Sequence, residues 1–173
     1  MDLKVKLKVR PFKIPSKPVR ILAAPDTLRD EVCKQIIDWA PRLHHFIKNP
    51  TLAIAIKDTV YIQDVQNKNS QCSALEVNEE ARAVRFDGRA EAMAVGTIAG
   101  TIQIFDVERQ HRLRTIREHT QRITALDWST TAPSHLVSGS SDCCIVNHDL
   151  RVKDSAINVI GSHNGQITNL KLH

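Results

Sequence analysis

The feature that most constrains this 173-residue chain is a set of marks that return about every 42 residues. Runs closing on an acid stand at Tyr61–Asp64 (YIQD), Gln103–Asp106 (QIFD) and Val146–Asp149 (VNHD), with terminal aspartates 42 and 43 residues apart. The triplets Ile37-Asp38-Trp39, Val84-Arg85-Phe86, Leu126-Asp127-Trp128 and Leu170-Lys171-Leu172 end 47, 42 and 44 residues apart. A third, small-residue mark runs through LAIAI (52–56), MAVGT (93–97) and LVSGS (136–140), where Ala55, Gly96 and Gly139 are 41 and 43 apart. Three registers on one period define a repeat, so the core is built by stacking similar units.

Inside each copy the apolar residues alternate with the period of strands, as in Thr101-Ile102-Gln103-Ile104-Phe105 and Thr59-Val60-Tyr61-Ile62. Turn signals fall between the runs at Asp58-Thr59, Ala99-Gly100 and Ser141-Asp142. About four short strands per copy, the third closed by a hydrophobic–acid pair, is the signature of a WD-repeat propeller blade. The predicted fold is all-β: a partial WD40 β-propeller of about three four-stranded blades plus the first strand of a fourth. Residues 1–25 form a basic leader and connector, 26–80 blade 1 with its lead-in, 81–118 blade 2, 119–160 blade 3, and 161–173 the start of blade 4. Propellers close with typically 4–8 blades. The expectation is therefore a piece of a longer product, or an arc completed by a partner that covers its open strand edges.

The third copy carries a polar set. His119 precedes ITALDW, Ser138 lies in the next strand, Asp142 sits in the turn before CCIVNHD, and His148 takes the place of the tryptophan that joins such a set in WD blades. Ser, His and Asp also suggest a hydrolase triad, but no G-x-S-x-G context accompanies them, so a structural network across the blade is expected. No paired carboxylates, phosphate loop or zinc spacing appears, which points away from an enzyme and from any cofactor or metal. His44-His45 and His111 fall in loop-like sequence and are expected to be solvated. Of the four cysteines, Cys143 and Cys144 would point to opposite faces of a strand and make a poor metal clamp. Without secretory features, reduced thiols are expected.

The net charge of +5 is concentrated at the start, where residues 1–20 hold seven Lys/Arg and one acid. A solvated leader is the plain reading, and nucleic acid is not an expected partner. No apolar run reaches the roughly 20 residues of a membrane span, and MDLKVKLKVR lacks a secretory apolar segment, so an intracellular location is the default. Asp26–Asp30 could cap a short helix through Ile36 or form an extended connector.

The stretches KIPSKPVRILAAP (Lys13–Pro25), IIDWA (Ile36–Ala40) and LAIAIKDTVYIQD (Leu52–Asp64) resemble the start of the propeller in the Fizzy and Fizzy-related proteins, coactivators of the anaphase-promoting complex. The likeness continues through MAVGTIAGTIQIFDV, HTQRITALDWS and LVSGSSDCCIVNHDLR to SHNGQITNLKL, over residues 13–172. It implies a non-enzymatic adaptor that holds degron peptides of substrates such as cyclins and presents them to the ubiquitin ligase, in the nucleus and cytoplasm. Small-molecule substrates and membranes are not implied. By motif, Leu22, Ile54 and Tyr61 fall on apolar positions lining the leucine pocket of the destruction-box groove. Arg112, Arg114 and Arg122 are candidate partners for an acidic–aromatic degron between blades 2 and 3. Ala23 stands where the family pairs the degron arginine with an acid, and Gln63 replaces a tryptophan. No C-box docking motif is assigned, since FKIPSK (Phe12–Lys17) aligns with the connector. The alternative is a generic WD interaction scaffold without ligase coupling.

Overall fold

Each repeat folds into one antiparallel sheet whose strands pair in chain order. The computed structural model describes residues 35–40, 50–65, 72–153 and 156–172. Leu22, Ala23, the basic leader, Cys33, the Asp26–Asp30 stretch and His44-His45 lie outside them. The first sheet holds β1 (Ile37–Trp39), β2 (Thr51–Ile56), β3 (Thr59–Asp64) and β4 (Ser73–Glu76). The second holds β5 (Ala81–Phe86), β6 (Ala92–Thr97), β7 (Ile102–Asp106) and β8 (His111–Ile116). The third holds β9 (Ile123–Trp128), β10 (His135–Ser140), β11 (Cys144–Asp149) and β12 (Ala156–Ser162). β12 runs two residues past the expected blade end at 160, because Ser162 still pairs with Cys144 after a bulge. His111 is exposed but opens β8 opposite Asp106, so it belongs to a strand and not to a loop. Among the described residues no helix is long and apolar enough to cross a membrane.

Strand alternation places the core between blades. Val84, Phe86, Met93, Val95 and Phe105 of the second sheet join Ala53, Ala55, Val60, Ile62 and Leu75 of the first in one buried cluster. The intervening residues Ala83, Ala94, Ile102 and Ile104 join Ile123, Leu126, Trp128 and Leu136 of the third in another. A period of two on strands covered on both faces gives this division. Phe105 therefore turns toward blade 1 while its neighbour Asp106 stays at the strand end, where its carboxylate accepts the Arg109 backbone N–H at 2.8 Å. The small-residue mark also has a cause. A Cβ on Gly96 would stand 2.4 Å from Ile123 Cγ2, and one on Gly139 2.5 Å from Ile167 Cγ2, so Gly96 lets β9 approach and Gly139 lets the segment that carries Ile167 approach.

The inner strands are joined by charge. Asp38 Oδ2 accepts the backbone N–H of Phe86 at 2.7 Å, and its Oδ1 accepts Arg85 Nη1 at 3.1 Å. Arg85 Nε reaches on to Asp127 Oδ1 at 3.0 Å. Asp127 Oδ2 repeats the motif, accepting the Leu172 N–H at 2.7 Å with Lys171 Nζ at 3.4 Å. Gln35 adds a stitch, its carbonyl accepting from Val84 N at 2.8 Å and its side-chain oxygen from Leu126 N at 3.0 Å. Residues 163–172 carry no strand of their own. They lie along blade 3, with Ile167 N–H on the Ser140 carbonyl at 3.1 Å and the Thr124 hydroxyl on the Ile167 carbonyl.

Candidate peptide-binding faces

The outward face of blade 1 is apolar. Ile37, Ile54, Tyr61 and Ala74 lie in one cross-strand row, flanked by the row Trp39–Leu52–Gln63. The opposite face of the same strands supplies the core against blade 2, so this face has no blade against it among the described residues. Ile37 is 53% exposed, Trp39 49% and Tyr61 38%, whereas Ile54 is half-buried between its row neighbours. Ile54 and Tyr61 are thus direct partners across β2 and β3. Alternating strands of this kind offer a flat row of side chains able to cover an apolar group of an extended peptide.

The three arginines expected to meet acidic groups do not converge. Arg114 is spent on its own chain, its guanidinium donating to the carbonyls of Leu150 at 3.1 Å, Val152 at 2.7 Å and Lys153. It clamps the turn after β11 to the outer strand of blade 2. Arg112 Nη1 donates to Gln103 Oε1 at 3.3 Å, and Gln103 in turn donates to the Val77 carbonyl at 2.8 Å. Arg122 belongs to another surface, where it bonds Ser141 Oγ at 2.9 Å and Gln166 Oε1 at 3.1 Å. With Ile98 and Gln121 these residues line an open hollow of about 470 Å³ at the mouth of blades 2 and 3.

The polar set of blade 3 forms one hydrogen-bonded chain. Asp142 Oδ2 lies 2.9 Å from His119 Nδ1, His119 Nε2 lies 2.8 Å from Ser138 Oγ, and Ser138 Oγ lies 2.7 Å from His148 Nε2. The carboxylate requires an N–H at His119 Nδ1. His119 Nε2 then accepts the serine O–H, and the serine oxygen accepts an N–H from His148 Nε2. His148 so supplies the single donor that an indole would supply. Its remaining ring nitrogen, Nδ1, is buried and has no partner among the described residues. Burial above all, with the positive field of Arg114 adding a smaller part, pulls the His148 imidazole down to about 4. Burial would raise Asp142, but bonds from His119 and from the Thr120 and Cys144 N–H groups outweigh it and hold the carboxyl below its usual range. Ser138 and His148 have no solvent access, so these hydrogen bonds run inside the blade.

A second device was not anticipated from sequence. In blade 2, Glu79 Oε2 accepts both the Thr97 and the Thr101 hydroxyl at 2.6 Å, fastening the β6–β7 turn to the strand entry. The Asp38–Arg85–Asp127–Lys171 belt was likewise missed, although its residues are the middle members of the recurring triplets. It borders a crevice of about 210 Å³ with Trp39, Phe86 and Trp128 on its walls.

Sheets of four strands, packed face to face with buried polar bracing, define a run of WD-repeat propeller blades. A profile of the family described as "Anaphase-promoting complex subunit 4 WD40 domain" matches residues 57–131. The solved "Crystal Structure of Mitotic Checkpoint Complex" contains a chain that superposes with a TM-score of 0.74 at 26% identity, covering 92% of this chain and 48% of that one. In sequence the chain is 32% identical over 162 residues to "Protein FIZZY-RELATED 1" of Arabidopsis thaliana, covering 93% of this chain and 32% of the relative. It is 30% identical to "Anaphase-promoting complex subunit cdc20" of Dictyostelium discoideum, covering 95% of this chain and 31% of the relative. To "Meiotic fizzy-related protein 1" of Schizosaccharomyces pombe it is 27% identical, covering 91% and 35% respectively. Over most of its length the chain is similar to proteins of the Fizzy and Fizzy-related type, and it spans about a third of the length of these relatives.

Proposed function

We propose that the chain is part of a substrate-recognition adaptor and activator of the anaphase-promoting complex ubiquitin ligase. It works by binding degron peptides in mitotic or meiotic control, performs no chemistry itself, and acts in the nucleus and cytoplasm. The observation that carries this reading is the partly exposed row Ile37–Ile54–Tyr61 on a chain similar to proteins named as a subunit and as an activator of that complex. Covering a leucine side chain on such a row is worth about 1.5–3 kcal/mol, tenfold or more in affinity. In the full-length protein, a fluorescent destruction-box peptide should bind with an affinity that Tyr61→Ala lowers at least about tenfold, and ligase subunits should co-precipitate. Absence of both would overturn the proposal.

Gln63 beside the row, in place of a tryptophan, and Arg114 held by its own chain favour a second reading, a WD scaffold without ligase coupling. Peptide binding without co-precipitation of the ligase would select it.

A further inference from the structure

The β10–β11 turn carries two adjacent thiols in a geometry that strand alternation does not suggest. Cys143 is not in a strand. It holds the turn with φ 68°, and β11 begins only at Cys144. At the matching place in blade 2 stands Gly100, with φ 81°. A residue with a Cβ in that region carries a cost of roughly 1–2 kcal/mol that glycine avoids, a cost also met at Lys57, Asn78, Ala90 and Gln110. Because Cys143 precedes β11, the alternation of strand residues does not apply across the pair. Cys143 Sγ lies 3.7 Å from the Ser141 carbonyl and Cys144 Sγ 3.6 Å from the Asp142 carbonyl, so both sulfurs are held along consecutive peptides of one turn. Both side chains are half-buried and neither is in a disulfide. Burial, then Asp142 and Cys143, pushes the Cys144 thiol up. It is therefore a protonated, weakly nucleophilic thiol, suited to a partner that removes its proton on binding and poorly suited to attack a peroxide.

We propose that Cys143 and Cys144 form a vicinal dithiol site for a single soft, thiophilic atom of the trivalent arsenic class, seated on the turn that anchors the polar bracing of blade 3. This is independent of the peptide-binding reading. The step balances without any redox change: an organoarsenic(III) oxide and two thiols give a dithioarsenite and one water. Two S–H bonds break, two As–S bonds form, and both protons leave on the oxide oxygen. Occupancy bears directly on the bracing, because Cys144 N–H donates to Asp142 Oδ1 at 3.0 Å while Asp142 Oδ2 holds His119. It also bears on the Arg122 hollow through Ser141, the first residue of the turn.

The test uses the whole reduced chain and phenylarsine oxide, followed by alkylation with N-ethylmaleimide and peptide mapping by mass spectrometry. One arsenical per chain is expected, with Cys143 and Cys144 protected, Cys72 alkylated, and ethanedithiol restoring alkylation of the pair. Cys144→Ser and Cys143→Gly should each lose the adduct. The glycine variant keeps the left-handed turn, so loss there is not loss of fold. Cys143 and Cys144 alkylated as fast with the arsenical as without it, or an adduct that persists in Cys143→Gly, would overturn the proposal. The protection measurement on the unaltered chain decides it even if a variant misfolds.

Discussion

Gly96→Ala should be one of the more damaging single-methyl additions in the protein, and a second substitution should repair much of it. The added Cβ would lie 2.4 Å from Ile123 Cγ2 and 2.6 Å from Ile123 Cβ. Non-bonded carbons rest at about 3.5–4.0 Å, so the inner strand of blade 3 must retreat by about 1 Å. Ile123 is fully buried and β9 is tied to Arg85 through Asp127 and to Gln35 through Leu126, so that retreat is resisted from several sides. Overpacking of this kind costs about 1–3 kcal/mol. Ile123→Ala alone should cost about 2–5 kcal/mol through the cavity it leaves. The preceding interface has the complementary solution, with Ala55 and Ala81 at the matching positions and both in its buried cluster. The double variant Gly96→Ala/Ile123→Ala copies that pair, and should be more stable than the sum of the singles by about 1 kcal/mol or more. Urea unfolding followed by tryptophan fluorescence measures all four corners of the cycle. A Gly96→Ala change within about 0.5 kcal/mol of the parent, or strictly additive singles, would refute the view that these glycines exist for strand approach.

Acid should act through His148. Its folded-state value of about 4 lies below the ordinary 6.5, so its neutral form contributes fully above pH 6.5, and up to about 3 kcal/mol is lost as pH falls from 6.5 through 4. His148→Gln should flatten that part of the stability curve; a variant as acid-sensitive as the parent would remove His148 from the account. Arg85→Ala leaves Asp38 and the buried Asp127 without the cation between them. The cost should be about 3 kcal/mol or somewhat less, at or below the low end for broken buried pairs because the guanidinium is partly exposed. Arg85→Lys should recover part of it, and equal melting temperatures for Ala and Lys variants would contradict a charge role.

The period was legible because three kinds of residue repeat for three separate physical reasons. The acid closes a strand, the small residue admits a neighbour, and the triplet fills the inner strand. His119, Ser138, Asp142 and His148 could be grouped from one copy alone, since their spacing follows strand lengths. The belt escaped because its members alternate in sign, so a search for sameness between copies passes over Asp38, Arg85, Asp127 and Lys171. Arg114 could not be placed because its acceptors are backbone carbonyls of Leu150, Val152 and Lys153, which have no signature in side-chain chemistry. The handedness at Cys143 was within reach, since aligning the copies sets it on Gly100, whereas alternation counted along a single strand hides it.

The belt has a consequence for how such a chain can lengthen over generations. Acid and base alternate from Asp38 through Arg85 and Asp127 to Lys171. Duplicating a single blade would therefore put two carboxylates, or two cations, side by side where partial burial magnifies their repulsion. Duplicating two neighbouring blades together keeps every acid next to a base. The smallest segment that can be copied without penalty is then a pair, and the genetic history of the ring would be written in even steps.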